Sequence, residues 1–173
     1  KETDSFAYAK ILQKVLEGRN YDLILTGKQS QDTDAGLTPP MLAEFLGLPQ
    51  VTNIIRFSDV SDQKITLYRQ GDHATEVLEM NLPGVVTVND SLNEPRLASM
   101  RGIMMAKKKP LEEVDLEALG FSAEMMGAQA SMTEVLQHDK PESRKEGKIF
   151  EGDEADTVKQ AMELLVSEAK LLA

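Results

Sequence analysis

Tyr21-Asp-Leu-Ile-Leu-Thr-Gly-Lys-Gln-Ser-Gln-Asp-Thr-Asp-Ala-Gly-Leu-Thr-Pro-Pro-Met-Leu-Ala-Glu-Phe-Leu-Gly47 is the stretch that decides the fold class. Residues 21–26 are a short apolar run rich in branched side chains, which reads as a buried strand. Residues 27–37 are small and polar, the composition of a loop. Thr38-Pro39-Pro40 suits a helix start, with Thr38 as N-cap and proline in the first turn. That helix should run to about Leu46 and stop at Gly47-Leu-Pro49. Strand, loop and helix in this order are the repeating unit of a parallel α/β sheet.

Upstream, residues 4–17 read as an amphipathic helix with Asp4 as N-cap and Gly18 as terminator. Ala7, Ile11, Leu12, Val15 and Leu16 recur near a 3.6-residue period and predict its buried face. Downstream, Val51–Phe57, Lys64–Gln70 and Thr75–Asn81 are strand-like segments separated by Asp/Ser/Gly turns. Their close spacing predicts an antiparallel meander. Val85–Val88 is again a buried strand, so the expected topology is a mostly parallel sheet with an antiparallel hairpin excursion.

The chain has 173 residues and a net charge of −10, with no Cys and two His. That length fits one domain with an arm. Absence of Cys excludes a disulfide scaffold, a thiolate metal site and a Cys nucleophile. Two histidines, His73 and His138, exclude a His-rich metal site. The acidic balance argues against a general nucleic-acid binder, and no apolar run approaches the roughly 18 residues of a membrane span. Residues 111–173 hold 15 acidic and 6 basic residues and so nearly all of the net charge. Within them, 154–171 reads as a terminal helix with Val158, Ala161, Met162, Leu165, Val166 and Ala169 on one face. Residues 120–150 read as an irregular arm, simplest to explain if it lies across a partner. The division is therefore an α/β core over 1–110 and an arm with a terminal helix over 111–173.

Two segments could carry function. Gly27–Thr38 follows a strand and opens a helix, where ligands sit in open α/β sheets. A helix start offers free N–H groups that suit phosphate, and Ala35-Gly36 permits close backbone approach. The loop has neither a Walker A ending nor GxGxxG, and an ordinary strand-to-helix loop remains an alternative. Asp32 and Asp34 read as local turn caps rather than an acid/base pair. The second segment, Arg96–Lys109, has five basic residues and no acidic one. Met100, Ile103, Met104 and, less regularly, Leu97 could share one face of a short helix, with Gly102 breaking it. Methionine is favoured at adaptable docking surfaces, although a core-facing stripe beside a solvated Lys run would look the same. No GxSxG or Ser-His-Asp order stands out, so the chain reads as one that positions something rather than reacts with it.

Residues 21–30, 41–50 and 76–88 resemble the β-subunit of electron transfer flavoproteins. The most specific match is Leu92-Asn-Glu-Pro-Arg-Leu-Ala-Ser-Met-Arg-Gly-Ile-Met-Met-Ala-Lys-Lys-Lys-Pro110, which resembles that family's partner-recognition segment. The resemblance implies a Rossmann-like core of the adenine nucleotide alpha-hydrolase type, paired with an α-subunit that holds the redox FAD. It implies a longer N-terminus than this chain, which begins at Lys1 rather than Met. It implies that the loop after the first strand, through Gly27, Gln29, Asp32, Thr33, Ala35, Gly36, Leu37 and Thr38, wraps the phosphates of AMP or of a second FAD, with AMP the preferred expectation. Thr38-Pro39-Pro40 departs from the family's usual pattern and removes two N–H groups at the helix start. It also implies that Leu97, Met100, Arg101, Ile103 and Met104 meet a flavin-dependent dehydrogenase such as an acyl-CoA dehydrogenase, with Met100 as the anchor. A bacterial cytoplasm is the expected compartment ahead of a mitochondrial matrix. The competing readings are a stand-alone adenine-nucleotide sensor of the universal-stress type, and a hydrolase or ligase on the same fold.

Overall fold

The computed structural model describes residues 3–122, 131–141, 143 and 147–167. It divides into two compact units, residues 1–134 and residues 135–173. The first unit contains helix α1 (Ser5–Leu16), strand β1 (Leu23–Gly27), helix α2 (Thr38–Leu46) and strands β2 (Gln50–Val60), β3 (Lys64–Gln70), β4 (Thr75–Asn81) and β5 (Gly84–Val88). A 3₁₀ turn (Asp90–Leu92) and helix α3 (Met100–Ala106) follow.

The five strands form one sheet in the order β1-β5-β2-β3-β4. β5 pairs parallel with both β1 and β2, while β2–β3 and β3–β4 are antiparallel. The meander was legible from the turns, and β3 and β4 have the predicted bounds. Parallel and antiparallel pairings are equal in number, so the sheet is mixed rather than mostly parallel.

β5 is buried on both faces, with Val85 1 % and Val86 fully buried. Val86 joins Val51, Ile54, Ile65, Leu67 and Met80 in the core, flanked by Leu23, Phe57, Leu78, Leu82, Val88 and Leu92. Side-chain alternation turns Val85 to the opposite face. α2 packs over β5 and β2 and buries its own Leu42 and Ala43.

β2 is longer than predicted because it is bulged. The pairing of β2 with β5 shifts register between Val51 and Ile54, and its pairing with β3 shifts between Ile54 and Arg56 and between Phe57 and Val60. Val51 and Ile54 are three residues apart, which in a regular strand would put them on opposite faces. The extra residue at the first bulge returns Ile54 to the core side. Asn53 absorbs it with φ +61°, in the left-handed region. Its amide N–H donates to Thr87 Oγ1 at 2.8 Å, and its Nδ2 donates to the Gln70 carbonyl at 2.7 Å.

α1 is capped as predicted: Asp4 Oδ1 accepts from the Ala7 N–H at 3.0 Å. Its other oxygen accepts from Met132 N at 2.6 Å and from Thr133 N and Oγ1 at 2.9 and 3.0 Å. Burial pushes this carboxyl up, but the bonds from Ala7, Thr133 and Met132 together outweigh it and hold it below the usual carboxylate value. One side chain thus caps the helix and fixes residues 131–133 beside it. The predicted face of α1 holds in most positions: Ala7 is buried and Ile11, Val15 and Leu16 are half-buried, while Leu12 is exposed and Ala9 is buried in addition. α1 packs on α2 through an edge-to-face Phe6–Phe45 pair at 5.4 Å, Lys10 Nζ 3.8 Å above Phe45, and Gln13 Nε2 donating to the Phe45 carbonyl at 2.9 Å. A contact with a second helix follows positions 6, 10 and 13 rather than the broad apolar stripe suited to a sheet.

The second unit contains α4 (Glu154–Ser167). The predicted continuation to residue 171, with Ala169, lies outside the described residues, as do 123–130, 142 and 144–146 of the predicted irregular arm. Val158, Met162, Leu165 and Val166 of α4 are all exposed. Two shallow depressions lie along this helix, one lined by Lys159, Met162, Glu163, Val166 and Ser167 and the other by Phe150, Gln160, Glu163, Leu164 and Ser167. No described helix is long and apolar enough to cross a membrane.

The Asn53 bulge yields a test that separates strain from bonding. Asn53→Ala adds left-handed strain of about 1–2 kcal/mol to the loss of side-chain hydrogen bonds worth roughly 0.5–1.5 kcal/mol each. Asn53→Gly removes the bonds but tolerates the backbone. Urea unfolding should rank the wild type above Asn53→Gly and Asn53→Gly above Asn53→Ala.

Candidate functional site

Two surfaces leave the same end of the parallel part of the sheet. β1 and β5 are paired from Leu23↔Gly84 to Gly27↔Val88, so their carboxyl ends lie side by side. β1 continues into the loop 28–37, and β5 continues into the 3₁₀ turn and the segment before α3.

The loop is closed by its own polar side chains. Gln29 Nε2 donates to Asp34 Oδ1 at 2.9 Å, the Ser30 and Thr33 hydroxyls are 3.0 Å apart, and Asp34 N donates to the Ser30 carbonyl at 3.0 Å. Asp34 and Gly36 both have left-handed backbones, at φ +50° and +60°. A Cβ on Gly36 would lie 3.6 Å from the Lys28 carbonyl and 3.8 Å from Gln29, so the loop's second half folds against its first. The Asp32 carboxyl lies below its usual value because it accepts from the Ser30 hydroxyl and from backbone N–H groups. Gly27, Gln29, Asp32, Thr33, Ala35 and Leu37 are exposed, and Gly36 and Thr38 are half-buried.

Leu37, not Thr38, is the N-cap of α2, and it makes no side-chain capping bond. Thr38 is the first helical residue, followed by Pro39 and Pro40. Proline fixes the helical φ and carries no N–H, so the first turn leaves fewer orphan donors for a side chain to satisfy. One residue before the loop, Thr26 Oγ1 is buried without a hydrogen-bond partner among the described residues. It stands beside Thr87 in the β1–β5 register. A buried hydroxyl at the end of β1 without a partner leaves one hydrogen bond unfilled at the root of the loop.

The segment after β5 is anchored by residues that belong to no sequence motif. Asn89 Nδ2 donates to Asn53 Oδ1 at 2.7 Å and to Gln70 Oε1 at 3.2 Å. Asn89 N donates to the Ile54 carbonyl at 2.9 Å, and Asn89 Oδ1 caps the 3₁₀ turn by accepting from Ser91 N at 3.2 Å. Leu92 then packs on the core. The visible signal was two asparagines in β-rich surroundings, where asparagine is depleted.

α3 begins at Met100, with the Ser99 hydroxyl accepting from Gly102 N at 3.1 Å. Gly102 therefore does not break the helix. A Cβ there would sit 3.2 Å from Ser99 Oγ, so glycine makes room for the cap. Leu97 is outside the helix, in the extended lead-in. Leu97, Met100, Ile103 and Met104 are 98, 76, 43 and 65 % exposed, and Met105 is 55 % exposed. Arg96, Arg101 and Lys107–Lys109 are exposed around them. This apolar stripe is no part of the chain's own core. Among the described residues no His/Asp/Glu group is arranged to hold a metal ion.

The fold is thus a mixed α/β sheet with a polar loop at one strand end and an exposed, cationic apolar helix following the next. The electron transfer flavoprotein domain family matches residues 1–119. The chain is 33 % identical over 171 residues to the electron transfer flavoprotein subunit beta of Bacillus subtilis, covering 99 % of this chain and 65 % of that protein. It is 38 % identical over 148 residues to the subunit of the same name from Mycobacterium leprae, covering 85 % of this chain and 54 % of the other. Over 108 residues it is 43 % identical to that of Syntrophomonas wolfei, covering 62 % of this chain and 42 % of the other. The chain belongs to the electron transfer flavoprotein family, as a relative of its beta subunits. It spans between 42 and 65 % of the length of these relatives.

The orphaned hydroxyl sets a direct test. Thr26→Val deletes a buried group that makes no intramolecular bond, so unfolding free energy of nucleotide-free protein should hold or rise by up to about 1 kcal/mol. A loss larger than that in urea titration would mean the hydroxyl is already satisfied within the chain.

Proposed function

We propose that this chain is the β-type half of a two-subunit electron carrier. It holds an adenine nucleotide in the loop between β1 and α2 and docks a flavin-dependent dehydrogenase, of the acyl-CoA dehydrogenase kind, through α3. The observation that carries this reading is the exposure of Leu97, Met100 and Met104 on a cationic segment rooted in the sheet by Asn89. Domain architecture of the Rossmann-like, adenine nucleotide alpha-hydrolase type belongs to the same proposal.

AMP is the proposed occupant of the loop, ahead of a second FAD. Backbone groups around Gly36 and Thr38 would face its phosphate, with Gln29 and Asp32 beside it and the Thr26 hydroxyl beneath. Pro39 and Pro40 supply no N–H, which confines backbone donors to residues before them. The partner subunit is proposed to carry the redox FAD. When bound, that flavin supplies reversible one- and two-electron chemistry. Residues 111–173 would cover the partner, and the exposed face of α4 formed by Val158, Met162, Leu165 and Val166 is the part suited to it.

In this arrangement the chain's residues bind and orient rather than react. Lys107–Lys109 and Arg101 steer an acidic partner surface toward α3. Met100 then enters a desolvated pocket, flanked by Leu97 and Ile103. An anchor of this type supplies about 2 kcal/mol or more, which is roughly thirtyfold in affinity.

Met100→Ala in the complete complex should weaken electron uptake from the reduced dehydrogenase by about that factor. Flavin content should not change. Unchanged uptake, measured as flavin bleaching under dehydrogenase-limited conditions, would refute the docking role.

A further inference from the structure

We propose that Met100, Met104 and Met105 form a reversible oxidation site that disconnects the carrier from its electron donor. This inference rests on the docking role of α3 proposed above. The three methionines occupy positions i, i+4 and i+5 of one short helix and are 76, 65 and 55 % exposed. Met80 is the contrast within the same fold. It is 4 % exposed, and its Sδ and Cε lie where a Cβ on Gly84 would go, 2.9 and 2.6 Å away.

A thioether reacts with an oxidant according to its access. The oxidant here is a hydroperoxide, with hydrogen peroxide the simplest. Its terminal oxygen bonds to Sδ as the O–O bond breaks. Sulfur loses two electrons, and the peroxide is reduced to water, which takes up the remaining protons. The product is a sulfoxide, polar and chiral where the side chain had been apolar and flexible. An apolar pocket that accepts Met100 would have to bury the S=O oxygen without a partner, which is unfavourable. Leu97 and Ile103 cannot be oxidised in this way, so docking is weakened rather than abolished. Arg101 and Lys107–Lys109 keep their charge, so the salt dependence of encounter should stay as it was. Methionine sulfoxide reductases restore the thioether, which makes the device reversible.

The test uses the full chain purified with its flavin-bearing partner subunit. The complex is treated with hydrogen peroxide, and timed samples go to peptide mass spectrometry. Electron uptake from an acyl-CoA dehydrogenase reduced by its acyl-CoA is measured on the same samples. Sulfoxide should form at Met100, Met104 and Met105 at least about tenfold faster than at Met80, which needs local opening to react. Uptake should fall in step with it, by about tenfold, with the same ionic-strength slope and unchanged flavin content. Methionine sulfoxide reductases A and B together should restore it. The variant carrying Met100→Leu, Met104→Leu and Met105→Leu keeps the apolar surface, and its uptake, read against its own untreated rate, should resist peroxide, as should that of Met100→Leu in large part. Equal oxidation rates at Met80 and α3 would overturn the site. So would sulfoxide at α3 with unchanged uptake, or peroxide inhibition that persists in the triple variant. Slowed uptake in Met100→Ala alongside peroxide-insensitive wild type would leave the docking role standing and remove the switch. Full uptake in Met100→Ala would remove both.

Discussion

The bulge at Asn53 is the constraint on which the rest of the structure depends. β2 has to pair in parallel with β5 at its start and antiparallel with β3 beyond Ile54, while keeping Val51 and Ile54 on one buried face. A regular strand cannot do this, because its side chains alternate. One left-handed residue solves the register problem, and asparagine tolerates that conformation better than other side chains apart from glycine. The same residue then organises its surroundings. Its N–H engages the buried Thr87, its Nδ2 holds the end of β3, and its Oδ1 receives Asn89. The exit of β5 is thereby fixed, and with it the root of the segment that carries α3.

The two candidate surfaces follow from that fixed end. Thr26 and Thr87 are neighbours in the register, one leading to the loop and the other to the asparagine cluster. The loop is stiffened by short polar contacts, and α3 by a single serine cap. A loop closed by its own polar contacts and a small exposed apolar helix on one scaffold are the two surfaces that the proposed carrier would use. The acidic chain with one cationic segment adds directionality, since that segment is where an acidic partner would be drawn.

Much of this was legible in the sequence. The turns at Ser61-Asp-Gln and Gly71-Asp-His-Ala fixed the limits of β3 and β4, and Asp4 announced α1 through its capping bond. Other features were hidden because they depend on neighbours distant in sequence. Nothing local shows that α1 would lie on α2, so its contacts through Phe6, Lys10 and Gln13 were not legible beside the apolar face. Gly102 looked like a helix breaker, yet it serves the Ser99 cap. Thr38 looked like an N-cap, yet it lies inside the helix. The bulge at Asn53 could be suspected only from an asparagine among β-branched residues. The exposure of α3, which separates a docking stripe from a core stripe, is a property of the fold and not of spacing.

The central claim, that the chain is a nucleotide-holding subunit of an electron carrier, is tested most directly by its bound cofactors. Protein purified with its natural partner is denatured, and the released nucleotides are separated and quantified by chromatography. One FAD and one AMP for each pair of subunits is the predicted result. Recovery of the chain without a second subunit, and without flavin or adenine nucleotide, would contradict it.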